Sequence, residues 1–267
     1  MDKPQITSYT PEMLLKDNLH RGVKRDILQK QVWEIYLKKH KVDVLHYMVH
    51  RRNVGSIFES GILSFNKISE VFRGRERIDD MEVQGRRSHR QLPNGKSVHD
   101  YVPLYFCTKT AMQRVKTHKG PKREVIFKPS DIVFIDIATD VLLQDGVCFS
   151  DGNAASEITK FYNKPEELDK INWHGMRLDP RQFRFGEDEW YRIRMAEVLV
   201  PNIILTCYFT RVVCFSSKVQ NELKELASKH KLKMPIDKDG SEGKFINGRV
   251  PMPDLKYYFD DDLEVPE

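Results

Sequence analysis

The chain has 267 residues, 40% hydrophobic and 31% charged, and 44 Lys and Arg against 39 Asp and Glu give a net charge of +5. That length suits one large or two small globular domains with a sizeable core, and no run approaches the roughly 20 apolar residues that cross a bilayer. The opening residues lack the apolar stretch of a secretory signal, so a cytoplasmic location with no membrane contact is expected.

Thr10, Pro11 and Glu12 read as a helix start, and Ile27, Val32, Ile35 and Tyr36 then recur on one helical face. Residues 1–41 are therefore expected to form an N-terminal helical extension, with one further domain over 42–267. Val42 to Val49 reads as a buried strand. Asn53 to Ser60 follows as a helix, with Gly61 at its C-terminal cap. Residues 66–98 are polar, charged and weakly periodic, and read as a long functional loop or helix-loop. The segment Arg73 to Lys128 carries many more Arg and Lys than acids, which suits a polyanionic partner as well as a solvated surface.

Strands are expected at Tyr101–Cys107, Glu124–Lys128, Ile132–Ile135 and Gly146–Phe149, and helices at Ala154–Tyr162 and Pro165–Ile171. A strand at Arg194–Val200 comes next. Ile203–Phe215 gives one or two more, then a helix at Ser217–His230. A hairpin turning at Asp239-Gly240 and Asn247-Gly248 leads to a last strand near Leu255–Phe259. Many short strands without regular βαβ alternation make this an α+β chain. The four cysteines sit in apolar, strand-like runs without metal-ligand spacing and are expected to be reduced and buried.

The sequence has no GxGxxG, no phosphate-binding P-loop and no HExxH, and no metal site is expected. Four segments are locally odd for packing alone. In HYMVHRRNVGSIF, His50 ends a strand and Asn53 opens a helix, as a ligand-binding pair or as a plain cap. In VHDYVPLYF, Tyr101 and Tyr105 line either a cleft or the core. FSDGNAAS places small residues after the Asp151-Gly152-Asn153 turn. In YRIRMAEVLVP, Glu197 interrupts an apolar strand and shares a face with Met195 and Leu199. A carboxylate there needs a cationic partner or a ligand cleft.

In this order, these segments resemble the DarT-type ADP-ribosyltransferases, toxins that modify DNA bases. The resemblance rests on His50-Arg51-Arg52-Asn53, Val83-Gln84-Gly85-Arg86-Arg87, His99 to Phe106, Ser150 to Ala155 and Ala196 to Val200. It spans about residues 44–260. It implies an ADP-ribosyltransferase-like fold over 42–267, with two small antiparallel sheets around an NAD cleft and flanking helices. It implies NAD⁺ as co-substrate, single-stranded DNA as acceptor and thymine or guanine as the modified base. A toxin role and a macrodomain-type antitoxin that hydrolyses ADP-ribosyl groups are implied with it.

Residue by residue, the resemblance implies Glu197 as the catalytic carboxylate, and Arg86, with Arg87 less favoured, approaching the diphosphate or the reacting base as a second catalytic residue. His50, Asn53, Arg87, Tyr101 and Tyr105 would face NAD⁺. Asn153, Arg184, Trp190 and Arg192 would face the nucleic acid, with Phe183, Phe185 and Tyr191 adding stacking surface. Many family members carry a His where this chain has Tyr47, which puts one cofactor contact in doubt. The alternatives are the same chemistry on RNA or protein, or a non-catalytic nucleic-acid-binding module. Replacing Glu197 separates the last from the first two.

Overall fold

A computed structural model describes residues 25–71, 75–117, 126–178, 188–239 and 256–258. The expected helix start at Thr10, Arg184 with Phe183 and Phe185, and most of the 239–248 hairpin lie outside these residues.

Helix α1 (Arg25–Lys39) buries Leu28, Val32, Trp33 and Leu37, while Ile27 and Ile35 are exposed. The buried face is thus rotated from the expected one, because Trp33 rather than Ile35 reaches the core, its ring edge against Phe149. Strand β1 (Val44–His50) and a 3₁₀ turn (Arg51–Asn53) lead into α2 (Val54–Ser60). Gly61 then closes the helix at φ 81°, and its N–H reaches Ile57 O at 2.8 Å. A Cβ there would lie 2.5 Å from Ile204 O, because β2 (Ile62–Leu63) pairs antiparallel with β8 (Ile203–Ile204) as a separate small sheet. Gly61→Ala therefore meets both strain and collision. It should lower stability by more than about 1 kcal/mol, read as a shift of the denaturant midpoint without a change in slope.

The expected long loop is largely structured. It holds α3 (Phe65–Val71) and α4 (Met81–Ser88), then a Gln91–Ser97 bridge and a 3₁₀ turn at Val98–Asp100. Helix α4 is capped by Asp80, which accepts from Glu82 N at 2.9 Å and Val83 N at 3.4 Å. Few of its side chains are apolar, so hydrophobic periodicity missed it.

Next come β3 (Tyr101–Tyr105), α5 (Ala111–Thr117), β4 (Ile132–Ala138), β5 (Cys148–Ser150) and β6 (Phe161–Tyr162). A 3₁₀ segment at Pro165–Lys170 and a short α6 (Trp173–Met176) follow. The chain continues through α7 (Asp188–Arg194), β7 (Glu197–Pro201), β8, β9 (Phe209–Cys214), α8 (Ser217–Lys229) and β10 (Ile236–Lys238).

Four expected elements differ. Ala154–Tyr162 is not a helix: it runs through tight turns, with Ser156 N bonding Asn153 O and Thr159 N bonding Ser156 O, and ends in β6. Arg194–Val200 is not one strand: Arg194 ends α7, its guanidinium gathering the carbonyls of Thr108, Lys109, Met176 and Leu178. Ile126, Phe127 and residues 256–258 are not in strands either. The first two amides share Lys116 O, and the last three all bond Asp239. All four cysteines are free, but Cys207 is exposed.

The large sheet runs β10-β9-β4-β1-β3-β7-β5-β6. It consists of two four-stranded halves. β1 and β4 pair along seven positions and β3 and β7 along five, but β1 meets β3 only at His46↔Tyr105. Every pairing is antiparallel except β9 with β10. The α+β expectation holds, but in place of two small sheets the strands form one eight-stranded sheet whose halves join at that seam, beside the two-stranded β2–β8 sheet. β4 reads IVFIDIA and is buried along nearly its whole length, as an inner strand must be.

Candidate active site

Directly opposed residues of antiparallel strands project to the same face. One polar row therefore crosses the large sheet: Arg211, Asp136, His46, Tyr105, Glu197. Glu197 is the first residue of β7 and only 1% exposed. Arg87, from the last turn of α4, closes on it with a forked ion pair. Nη1 donates to Oε1 at 2.9 Å and Oε2 at 3.2 Å, and Nη2 to Oε2 at 3.2 Å. Ala154 N–H adds a 2.8 Å bond to Oε1. Behind the carboxylate, Glu197 N–H donates to Ser150 Oγ at 3.2 Å, and that hydroxyl donates to Gly152 O at 2.7 Å. The sequence demanded a partner or a cleft for this carboxylate, and Arg87 is the partner. Burial alone would lower the Arg87 pKa, but Glu197 more than offsets it and the net shift is upward.

In front of the pair opens a cavity of about 800 Å³. Its floor is Tyr101, Pro103 and Tyr105 of β3, and its walls come from the 75–80 segment, α4, α5 and α7. Burial, then the nearby Glu197, pushes the Tyr105 phenol above its ordinary range, and burial lifts Tyr47 to about 12 despite Arg75. Both are uncharged hydrogen-bonding groups at neutral pH.

Asn53 is no side-chain cap. Its amide pairs with the Glu76 backbone on both sides, Nδ2 donating to O at 2.7 Å and Oδ1 accepting from N at 3.0 Å. That fixes the wall carrying Arg75 and Arg77, whose guanidinium groups lie 5.2 and 5.7 Å from the Phe65 ring centre. Phe65 stacks on His99 at 4.2 Å, and Gln84 Oε1 lies 2.9 Å from His99 Nε2. Sequence reasoning missed Phe65, and reached His99 only as part of the segment before β3. Their meeting needs α3 and the 98–100 turn together, which no local pattern announces.

The other expected site residues divide. Arg86 lines the cavity but pairs with Glu82 on the exposed side of α4, at 2.7 Å, so the place beside Glu197 goes to Arg87 instead. Both are in α4 and both line the cavity, but only Arg87 is bonded to Glu197. Tyr101 lines the cavity and accepts from Asn94 Nδ2 at 2.8 Å. Asn153 and Arg192 line it too. Asn153 Oδ1 accepts from Ala155 N at 2.9 Å, and Arg192 is held by Glu189 and Asp151. Gly152 lets Arg192 pass this close, since a Cβ would collide with its guanidinium. His50 and Trp190 are not cavity-lining residues. The His50 ring packs on Phe127 and accepts from Arg52 N at 3.3 Å; Trp190 lies against Gly175 and the core. The basic segment contributes Arg75, Arg77, Arg86, Arg87 and Lys116 to the cavity.

Burial lowers the pKa of His50 and His99, and for His99 the Arg87 charge lowers it further. Below the ordinary histidine pKa of about 6.5 the unfolded chain binds protons that these rings resist, so stability falls with acidification. The melting temperature should drop between about pH 7.5 and 5.5, and less for His99→Gln. An equal drop for both proteins would dismiss the His99 contribution.

The sequence model of the family described as "ssDNA thymidine ADP-ribosyltransferase, DarT" matches residues 46–241. A DNA ADP-ribosyl transferase–DNA ADP-ribosyl glycohydrolase fusion protein of Thermosipho africanus is 29% identical over 181 residues, 68% of this chain; the chain spans only 45% of that relative's length. A DNA ADP-ribosyl transferase of Escherichia coli O127:H6 is 26% identical over 200 residues, 71% of this chain and 88% of the relative. Thermus sp. 2.9 DarT, solved in complex with ADP-ribosylated single-stranded DNA, has the same fold: TM-score 0.62 at 18% identity, covering 73% of this chain and 93% of that one.

Proposed function

The chain belongs to the DarT family of single-stranded-DNA thymidine ADP-ribosyltransferases, and from that premise we propose that it moves ADP-ribose from NAD⁺ to thymine in single-stranded DNA. The observation that carries this reading is the Arg87–Glu197–Ala154 constellation behind a cleft large enough for a dinucleotide. The bond from the ribose anomeric carbon to nicotinamide breaks, a bond from that carbon to a ring nitrogen of the base forms, and the proton on that nitrogen leaves. Glu197 stabilises the positive charge developing on the ribose and accepts the proton. Because Glu197 is sealed behind Arg87, the guanidinium fork has to turn aside as the ribose seats. Arg75, Arg77 and Arg86 suit the diphosphate, since a planar fork matches two oxygens. Tyr101 and Tyr105 form an uncharged floor for the rings, and Asn153 and Arg192 stand on the side where a strand would lie.

A base reaches this cleft only if unstacked, which favours single strands. The fused glycohydrolase of the Thermosipho relative supports a partner that removes the modification, and with it a toxin–antitoxin pairing. Among the described residues no helix is long and apolar enough to cross a membrane.

The deciding experiment is an intact mass spectrum of a mixed-sequence DNA oligonucleotide after incubation with the protein and NAD⁺. One added ADP-ribose on thymine is expected. Transfer to RNA or protein alone would move the acceptor to a different class, and no transfer to any of the three would end the enzymatic reading.

A further inference from the structure

The two halves of the large sheet meet at a single registered pair, and residues 256–258 bond to segments attached to both halves. Three successive amides, of Lys256, Tyr257 and Tyr258, converge on the Asp239 carboxylate at 3.1, 2.7 and 3.1 Å. Tyr258 is fully buried and donates to Ile132 O at 2.6 Å; Tyr257 donates to Asp136 Oδ2 at 2.6 Å. Asp136 also takes Arg211 Nε at 3.0 Å and has His46 Nδ1 at 2.8 Å. Burial pushes its carboxyl pKa up, but these bonds outweigh burial and hold it below the usual range. Those contacts are all to the β1–β4–β9–β10 half. The carbonyls of the same residues reach the other half: Thr108 Oγ1 donates to Lys256 O at 2.6 Å, and Gln113 Nε2 to Tyr257 O at 3.1 Å. Thr108 follows β3, and Gln113 lies in α5, which walls the cleft with Ala111, Met112, Val115 and Lys116. Lys116 in turn lies 3.8 Å from Asp80, the cap of α4, at whose other end Arg87 meets Glu197.

We infer that Lys256–Tyr258 is a clasp, with Tyr257 as a positioning residue, that fastens the 108–117 wall across the sheet seam and so sets the cleft in which the Arg87–Glu197 pair works. Lys256–Tyr258 lie beyond the matched residues 46–241, while the partners they hold, Thr108, Gln113, Ile132, Asp136 and Asp239, lie within them. The clasp's catalytic consequence rests on the proposed transfer reaction; its structural consequence does not.

The test uses the full chain with Tyr257→Phe, which keeps the ring and loses the bond to Asp136, and Thr108→Val, which cuts the clasp from the wall side only. Amide hydrogen exchange is followed by mass spectrometry. Exchange across 108–117 should speed up about tenfold or more in both variants, while 132–138 stays protected. In the transfer assay KM for NAD⁺ should rise several-fold with kcat nearly kept. Unchanged exchange across 108–117 in both variants, or equal loosening of 132–138, would overturn the clasp. A wild-type chain without transfer activity would defeat the proposed function and leave the exchange result to decide the clasp.

Discussion

Glu197→Gln should reduce ADP-ribose transfer by at least about 10³-fold, since it removes both the charge that stabilises the reacting ribose and the proton acceptor. The substitution is nearly isosteric. The Gln carbonyl oxygen still accepts from Ala154 N–H, and the Ser150 contact is to the backbone, so the local turn keeps its bonds. What changes is the counter-charge of Arg87, whose side chain is 9% exposed. Removing one member of a buried ion pair typically costs about 3–5 kcal/mol. The rate is therefore measured below the variant's own melting transition, with folded content verified by circular dichroism. Single-stranded DNA binding should persist, because the basic side chains around the cleft remain. A variant that turns over within about tenfold of wild type would remove Glu197 from the chemistry and make the pair a structural brace.

Much of the site was legible, for reasons that differ by residue. Glu197 announced itself because a carboxylate inside an apolar strand must be accounted for, and strand period placed it on the face with Leu199. Asp151-Gly152-Asn153 was legible as a turn. Ala154–Tyr162 misled because small residues suit a helix start and tight turns alike, and here successive turns carry the chain into β6. Arg86 and Arg87 are neighbours in sequence, and no local rule chooses between them. The choice is made by the orientation of α4, which depends on its Asp80 cap and its packing on the 98–100 turn. The stack of Phe65 on His99 and the clasp at Tyr257 join segments 34 and 121 residues apart, counting 99 − 65 and 257 − 136. Periodicity does not reach that far. The strands of β1, β3, β4 and β9 were readable because branched and aromatic residues cluster there; their order and the single-pair seam were not.

Arg87 and Arg86 should therefore part company when replaced. Arg87→Met keeps the length of the side chain and removes its charge, leaving Glu197 buried with only Ala154 N–H to satisfy it. The expected loss is about 3–5 kcal/mol of stability and at least about 10²-fold in transfer. Arg86→Ala breaks an exposed i,i+4 pair with Glu82 worth about 0.3–0.5 kcal/mol. Its stability should stay within about 0.5 kcal/mol of wild type, and its effect should appear in KM for NAD⁺ through the diphosphate. The pair itself is isolated by the cycle: Arg87→Met combined with Glu197→Gln leaves no uncompensated buried charge, so the double variant should be more stable than either single one while remaining inactive. Stability changes that simply add would mean that the two side chains do not interact in solution. Abolished turnover in Arg86→Ala with an active Arg87→Met would return the reacting position to Arg86. The stability cycle and the rate comparison separate holding the carboxylate from taking part in the reaction, because the first responds to the charge of Arg87 and the second to where its fork goes when substrate arrives.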